Sequence, residues 1–131
     1  IAGSVYFEFR NWVENFKKPF IFTEYGAETI PGLLTDPPMA FSSQYTKEVY
    51  LRTFEGIDRL RKKGYLSGES AWVFADFMTQ MSTTRILGNH KGLFTRDRQP
   101  KEIAYMLRDR YHHLASADAE EGLSPANSTE H

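Results

Sequence analysis

Between residues 4 and 18 the apolar positions Val5, Phe9, Trp12, Val13 and Phe16 fall at i, i+4, i+7, i+8 and i+11, which predicts one stripe of an amphipathic helix. Lys17 and Lys18 suit the negative end of that helix. Pro19 stops it, and the pattern changes to the apolar or β-branched run Phe20-Ile21-Phe22-Thr23, which predicts a short strand over 20–24, buried on both faces. From Thr29 to Phe41, Pro31, Gly32, Pro37 and Pro38 exclude regular structure, so a loop is expected. Ser42 or Ser43 then offers an N-cap for a second helix, with Tyr50, Phe54, Ile57 and Leu60 or Arg61 at helical spacing and Gly64 at its end. A second strand is predicted from about Leu66 to Phe74, with Trp72 near its end. From Met78 to Pro100 no periodicity holds, and this connection is longer than compact domains usually tolerate without a purpose. Pro100 fits the first turn of a third helix whose buried stripe is Ile103, Met106 or Leu107, Tyr111 and Leu114. Residues 115–131 are small, polar and acidic, and are expected to form a disordered tail.

The order helix, strand, helix, strand, long loop, helix implies an α/β fold with parallel strands and crossover helices. Two strands cannot make a covered parallel sheet, whereas an eight-stranded barrel needs about 250 residues. The chain is therefore expected either to partner with itself or to be a piece of something larger.

Composition narrows the function classes. The 131 residues are 40% hydrophobic and 15% aromatic, enough for a core, and one domain or part of one is expected. A net charge of −1 argues against general affinity for nucleic acid or anionic membrane. No apolar run approaches the roughly 20 residues of a membrane span, and no signal peptide is visible. The absence of cysteine removes disulfides, thiolate metal sites and thiol nucleophiles while leaving the compartment open. Ile1 in place of a starting Met hints at a mature product or a partial sequence.

The candidate chemistry begins where the first strand should end. If residues of one parity share a face, Phe20, Phe22 and Glu24 point the same way, and Glu24 stands at the strand's C-terminal mouth with Gly26 letting the chain turn away. An acid there in a parallel α/β sheet or barrel is a candidate catalytic group; the competing interpretation is an N-cap or a surface loop acid. Arg59, Arg61, Lys62 and Lys63 are best explained as dipole complement and solvated face. The long connection carries Arg85, Gly88, Asn89, His90, Lys91, Gly92, Arg96, Asp97 and Arg98, a polar and cationic density suited to an anionic ligand.

Three stretches carry a resemblance: 18–30 (KPFIFTEYGAETI), 72–79 (WVFADFMT) and 85–101 (RILGNHKGLFTRDRQPK). Together they are similar, in order and spacing over about residues 7–114, to the C-terminal part of the β-glucuronidases, a group within family 2 of the glycoside hydrolases. The resemblance implies residues 1–114 to be about three βα units of a (β/α)8 TIM barrel, from helix six to helix eight, incomplete alone. The family's two N-terminal β-sandwich domains and first six barrel strands have no counterpart here.

By the same resemblance Glu24 holds the position of the catalytic nucleophile. A retaining glycosidase sets two carboxyls about 5 Å apart, one attacking the anomeric carbon and one protonating the leaving oxygen. The family's acid/base follows an Asn on strand four and is absent from these residues. Glu28 lies beyond a glycine turn and is a poor substitute; Asp76 is better suited to supporting the barrel mouth by hydrogen bonds. His112 and His113 lack ligand spacing and are expected at the surface.

Asn89 and Lys91 match the family's Asn-x-Lys, implied to bind the C6 carboxylate of the sugar through an amide and an ammonium. Read alone, Asn-His-Lys beside Gly is most often a plain turn. Charge-assisted bonds of this kind contribute about 1.5–3 kcal/mol each. Arg85 is implied to lie near that carboxylate and Trp72 beside the sugar, although Trp72 fits barrel core equally well from the residues alone. Two positions depart from the family pattern: Val73 replaces an Asn, and His90 replaces a Lys.

The expectation is thus a β-glucuronidase polypeptide acting with retention on terminal β-D-glucuronides, without metal or organic cofactor and without nucleic-acid or membrane partners. The full-length form is expected to be a homo-oligomer, a homotetramer, in the lysosome or secreted; Asn127-Ser128-Thr129 is a glycosylation sequon compatible with that route. The alternatives are a catalytically silent truncated product, favoured for the isolated 131 residues, and a galacturonide-specific relative.

Overall fold

The computed structural model describes residues 1–83 and 88–123, the side chains of 118–123 excepted. Three helices and two short strands alternate: α1 (Ala2–Phe16), β1 (Phe20–Phe22), α2 (Ser43–Arg61), β2 (Leu66–Glu69) and α3 (Glu102–Leu123). The strands pair in parallel, Phe20 against Leu66 and Phe22 against Glu69, with an irregularity between Phe20 and Ile21. With α2 as the crossover between them, this is one βαβ unit flanked by two more helices.

The second helix organises the core. Ser42 caps it, its hydroxyl oxygen accepting from the Tyr45 N–H at 3.2 Å. One face then buries Thr46, Tyr50, Thr53, Phe54, Ile57 and Leu60. Tyr25, Leu66, Ile103 and Leu107 complete the buried cluster, with Phe9, Phe20 and Phe22 packed against it. At Gly56 a Cβ would meet the Ala2 carbonyl oxygen at 2.9 Å and the Val5 side chain at 3.0 Å, so the missing side chain is what lets α1 lie close on α2.

Several expectations are corrected. Only the N-terminal half of the α1 stripe is covered: Val5 and Phe9 pack on the core, while Trp12 and Phe16 stack on each other in the open. The regular strand β2 ends at Glu69 rather than Phe74: residues 70–72 still bond to the segment that continues β1, and residues 73–77 pair with 89–94 instead. Among the described residues of the long connection, those pairings hold 89–94 against 73–77. Pro100 precedes α3 instead of lying in its first turn, Tyr111 is 38% exposed rather than buried, and residues 115–123, expected as tail, continue the helix. Arg61, expected in a solvated face, is half-buried and bonded to Glu69.

The sheet has one covered face and one open one. Phe20 and Phe22 pack toward the helices, and Ile21 between them is 61% exposed. A strand that alternates in this way needs a second layer over Ile21, and none of the described residues supplies it. The architecture is an incomplete barrel.

Candidate active site at the strand ends

The strand pairing does not end where the regular strands do. The Ser70 N–H donates to the Phe22 carbonyl at 2.8 Å and the Trp72 N–H to the Tyr25 carbonyl at 2.8 Å, so the two segments run side by side up to Tyr25 and Trp72, with Glu24 just before that last bond. A Cβ on Gly26 would lie 2.6 Å from the Trp72 carbonyl oxygen and 3.0 Å from the Tyr50 hydroxyl, a contact only glycine permits. Trp72 is 38% exposed.

Glu24 is exposed, but not by the shared-face argument. Phe20 and Phe22 point into the helix layer, and Tyr25, stacked on Phe22 at 5.6 Å, is buried there too. Regular strand geometry ends at Phe22, so the alternation that would put Glu24 on the face of Phe20 and Phe22 does not extend to it: those two pack on the helix layer, whereas Glu24 is exposed.

The Tyr25 hydroxyl donates to Glu69 Oε1 at 2.9 Å. Burial first, then contact with Tyr111 and the charge of Glu69, holds that hydroxyl protonated well above its ordinary value of 10.0. Burial alone would raise the Glu69 carboxyl, but hydrogen bonds and charge from Arg110, with Tyr25 and Arg61, bring it below its ordinary 4.5.

On the other side of the mouth, the Phe77 and Asn89 backbones pair, and Asn89 is buried. Its Oδ1 accepts from the Lys91 N–H at 2.9 Å and closes a local turn, which leaves the amide nitrogen as the donor half of the group. Lys91 lines a hollow of about 220 Å³ with Ala27, Glu28, Ala40, Phe41 and Tyr45. The loop after Glu24 and the loop of Lys91 touch directly: the Thr29 N–H donates to the His90 carbonyl at 2.9 Å.

Beneath this contact lies a residue that sequence reasoning gave no role. Lys101 is 2% exposed at its side chain and donates to Asp76 Oδ1 at 2.7 Å, the Thr29 carbonyl at 2.9 Å and the His90 carbonyl at 3.0 Å. Asp76 Oδ1 also accepts from the Gly92 N–H at 2.9 Å, so Asp76 supports the mouth by hydrogen bonds. Burial pulls the Lys101 ammonium below its ordinary 10.5, with Asp76 acting against the shift. The signal in the sequence was a cation just ahead of a helix N-terminus, where the dipole disfavours it.

Arg85 lies outside the described residues. His112 and His113 are exposed. Among the described residues no group of three or more His, Asp or Glu side chains could hold a metal ion, and no helix is long and apolar enough to cross a membrane. A larger hollow of about 420 Å³ between α3 and the segment before it, walled by Leu93, Phe94, Leu107 and Tyr111 among others, carries no acid.

Residues 4–116 match the family described as glycosyl hydrolases family 2, TIM barrel domain. Human β-glucuronidase is 50% identical over 109 residues, which are 83% of this chain and 17% of that protein. A solved β-D-glucuronidase from Dictyoglomus thermophilum superposes with a TM-score of 0.80 at 43% identity, over 86% of this chain and 19% of that one. The Bifidobacterium dentium β-glucuronidase, solved in complex with coumarin-3-O-glucuronide, superposes with a TM-score of 0.76 at 41% identity, over 85% of this chain and 17% of that one. The chain thus spans less than a fifth of the length of these relatives.

Proposed function

The chain belongs to glycosyl hydrolases family 2, of whose TIM barrel domain it carries a part, and from that premise we propose that it supplies the nucleophile and the uronate-recognition loop of a retaining β-glucuronidase. The observation that carries this reading is the direct contact of two loops, one following Glu24 and one holding Asn89 and Lys91, through the Thr29 to His90 hydrogen bond. An exposed carboxylate and an ammonium with an amide are thereby offered at one mouth.

In this mechanism the Glu24 carboxylate attacks the anomeric carbon while a second carboxyl protonates the departing oxygen. The resulting glycosyl ester is then hydrolysed by water that the second group activates. The negative charge of Glu24 also stabilises the oxocarbenium-like transition state. The Asn89 amide nitrogen and the Lys91 ammonium receive the C6 carboxylate, a contact that a neutral glucoside cannot make. Trp72 offers an exposed aromatic face beside the sugar, and Arg85 is assigned a place near the carboxylate from the family pattern.

The isolated 131 residues are catalytically silent on this reading. Asp76 is engaged by Lys101 and Gly92, which leaves it unsuited to proton transfer, so the acid/base comes from elsewhere in a longer enzyme. That enzyme is a homo-oligomer, a homotetramer, working in the lysosome or after secretion.

The test is a graft in which residues 4–116 replace the matched segment of human β-glucuronidase. Glucuronide turnover that disappears with Glu24→Gln supports the assignment, and near-normal turnover of that variant refutes it. Parallel assays with a galacturonide decide between the two uronates.

A further inference from the structure

We propose that Lys101 and Asp76 form a positioning pair that sets the spacing between the Glu24 segment and the anion-binding loop, and thereby the selectivity for a sugar acid over a neutral sugar. This rests on the roles given above to Glu24, Asn89 and Lys91.

The argument starts from the three protons of the ammonium. One goes to Asp76 Oδ1, and the other two go to main-chain carbonyls, Thr29 in the loop that follows Glu24 and His90 between Asn89 and Lys91. The ammonium thus bonds both loops at once and anchors them to a carboxylate on the segment after β2. Asp76 grips the far side of the second loop through the Gly92 N–H. A Cβ at Gly92 would lie 2.2 Å from the Asp76 nitrogen, so the loop passes as close as a backbone can.

Buried ion pairs are weak stabilisers, because desolvation offsets most of the attraction. What this one adds is geometry. A sugar with its reacting carbon at one loop and its carboxylate at the other bridges a gap whose width the pair fixes. A neutral sugar draws on the first loop alone and is insensitive to that width.

The double variant Lys101→Met with Asp76→Leu, made in the graft, removes both charges together and leaves neither unpaired. The expected result is a folded protein whose kcat/KM for a glucuronide falls by about tenfold or more, chiefly through KM, while that for the matching glucoside changes by less than about threefold. An equal loss on both substrates, or an unchanged ratio, overturns the proposal. Should Lys101→Met alone fail to fold, the double variant still decides. If Glu24→Gln abolishes turnover but the double variant keeps the ratio, only the positioning role falls; a folded graft whose turnover survives Glu24→Gln removes the underlying assignment as well.

Discussion

Two buried carboxylates, Glu69 at the end of β2 and Asp76 just beyond it, are both met by a cation from the α3 region, and the two cations do different things. Arg110 grips Glu69 with two hydrogen bonds of 2.7 and 2.8 Å, reaches Asp58 at 2.7 Å and lies 4.1 Å over the Phe54 ring. Arg61 and Tyr25 add further bonds to Glu69. Every partner there is a side chain, and the network ties α2, α3 and the segment after β1 into one helix layer. Lys101 gives one bond to a side chain and two to loop carbonyls. A planar guanidinium suits fork-shaped carboxylates, whereas a compact ammonium suits converging main-chain oxygens. The first network builds the fold, and the second holds the mouth.

The strongest way to break this contrast is Arg110→Met. It leaves Glu69 with Arg61 and Tyr25 only, inside a layer where its side chain is 3% exposed. The expected loss is about 3 kcal/mol, since removing one partner of a buried pair strands the other. Urea unfolding should show it as a lower midpoint at an unchanged slope. In the graft, the ratio of glucuronide to glucoside turnover should stay within about twofold, because the mouth is untouched. A shifted ratio would mean that the two networks are one.

Acid sharpens the same point with a smaller effect. The Glu69 carboxyl lies below its ordinary 4.5 because Arg110 and its neighbours outweigh the burial that would raise it. It is therefore more ionised in the folded state than in the unfolded one. Its contribution is fully present above 4.5 and is lost as pH falls through the folded-state value. The stability gap between the parent and Arg110→Met should accordingly narrow as pH falls through 4.5 and below. A gap that stays constant down to strongly acidic pH would show that Arg110 acts through packing on Phe54 rather than through charge.

The helix layer was the more legible of the two regions. Tyr50, Phe54, Ile57 and Leu60 are all buried where their spacing put them, and Ser42 is the cap. Periodicity names a face, however, not how far along it the neighbours reach. Trp12 and Phe16 share the right face of α1 and are exposed, and Tyr111 on α3 is 38% exposed although it reaches the buried Tyr25. Glu69 and Arg110 are 41 residues apart, and nothing local in either marks the other. At the mouth, the strand-end position made Glu24 a candidate and the family resemblance did the same for Asn89 and Lys91, while the framework that joins the loops ran through main-chain oxygens of Thr29 and His90, which no side-chain pattern displays.

Thr46 lies between the two regions and gives the finest test of where one ends. It sits on the buried face of α2 yet serves the mouth: the Thr29 hydroxyl donates to its oxygen at 2.6 Å, and its own hydroxyl donates to the Glu28 carbonyl at 3.0 Å. Thr46→Val keeps the volume and removes both bonds. The expected cost is about 2 kcal/mol, since two bonds of about 1 kcal/mol each are lost and the buried Thr29 hydroxyl and the Glu28 carbonyl lose that partner. Because the loop it releases is the one Lys101 holds through the Thr29 carbonyl, turnover of glucuronide in the graft should fall about twofold more than that of glucoside. If stability drops and the ratio does not move, Thr46 belongs to the helix layer alone, and the mouth is fixed from the Lys101 side without it.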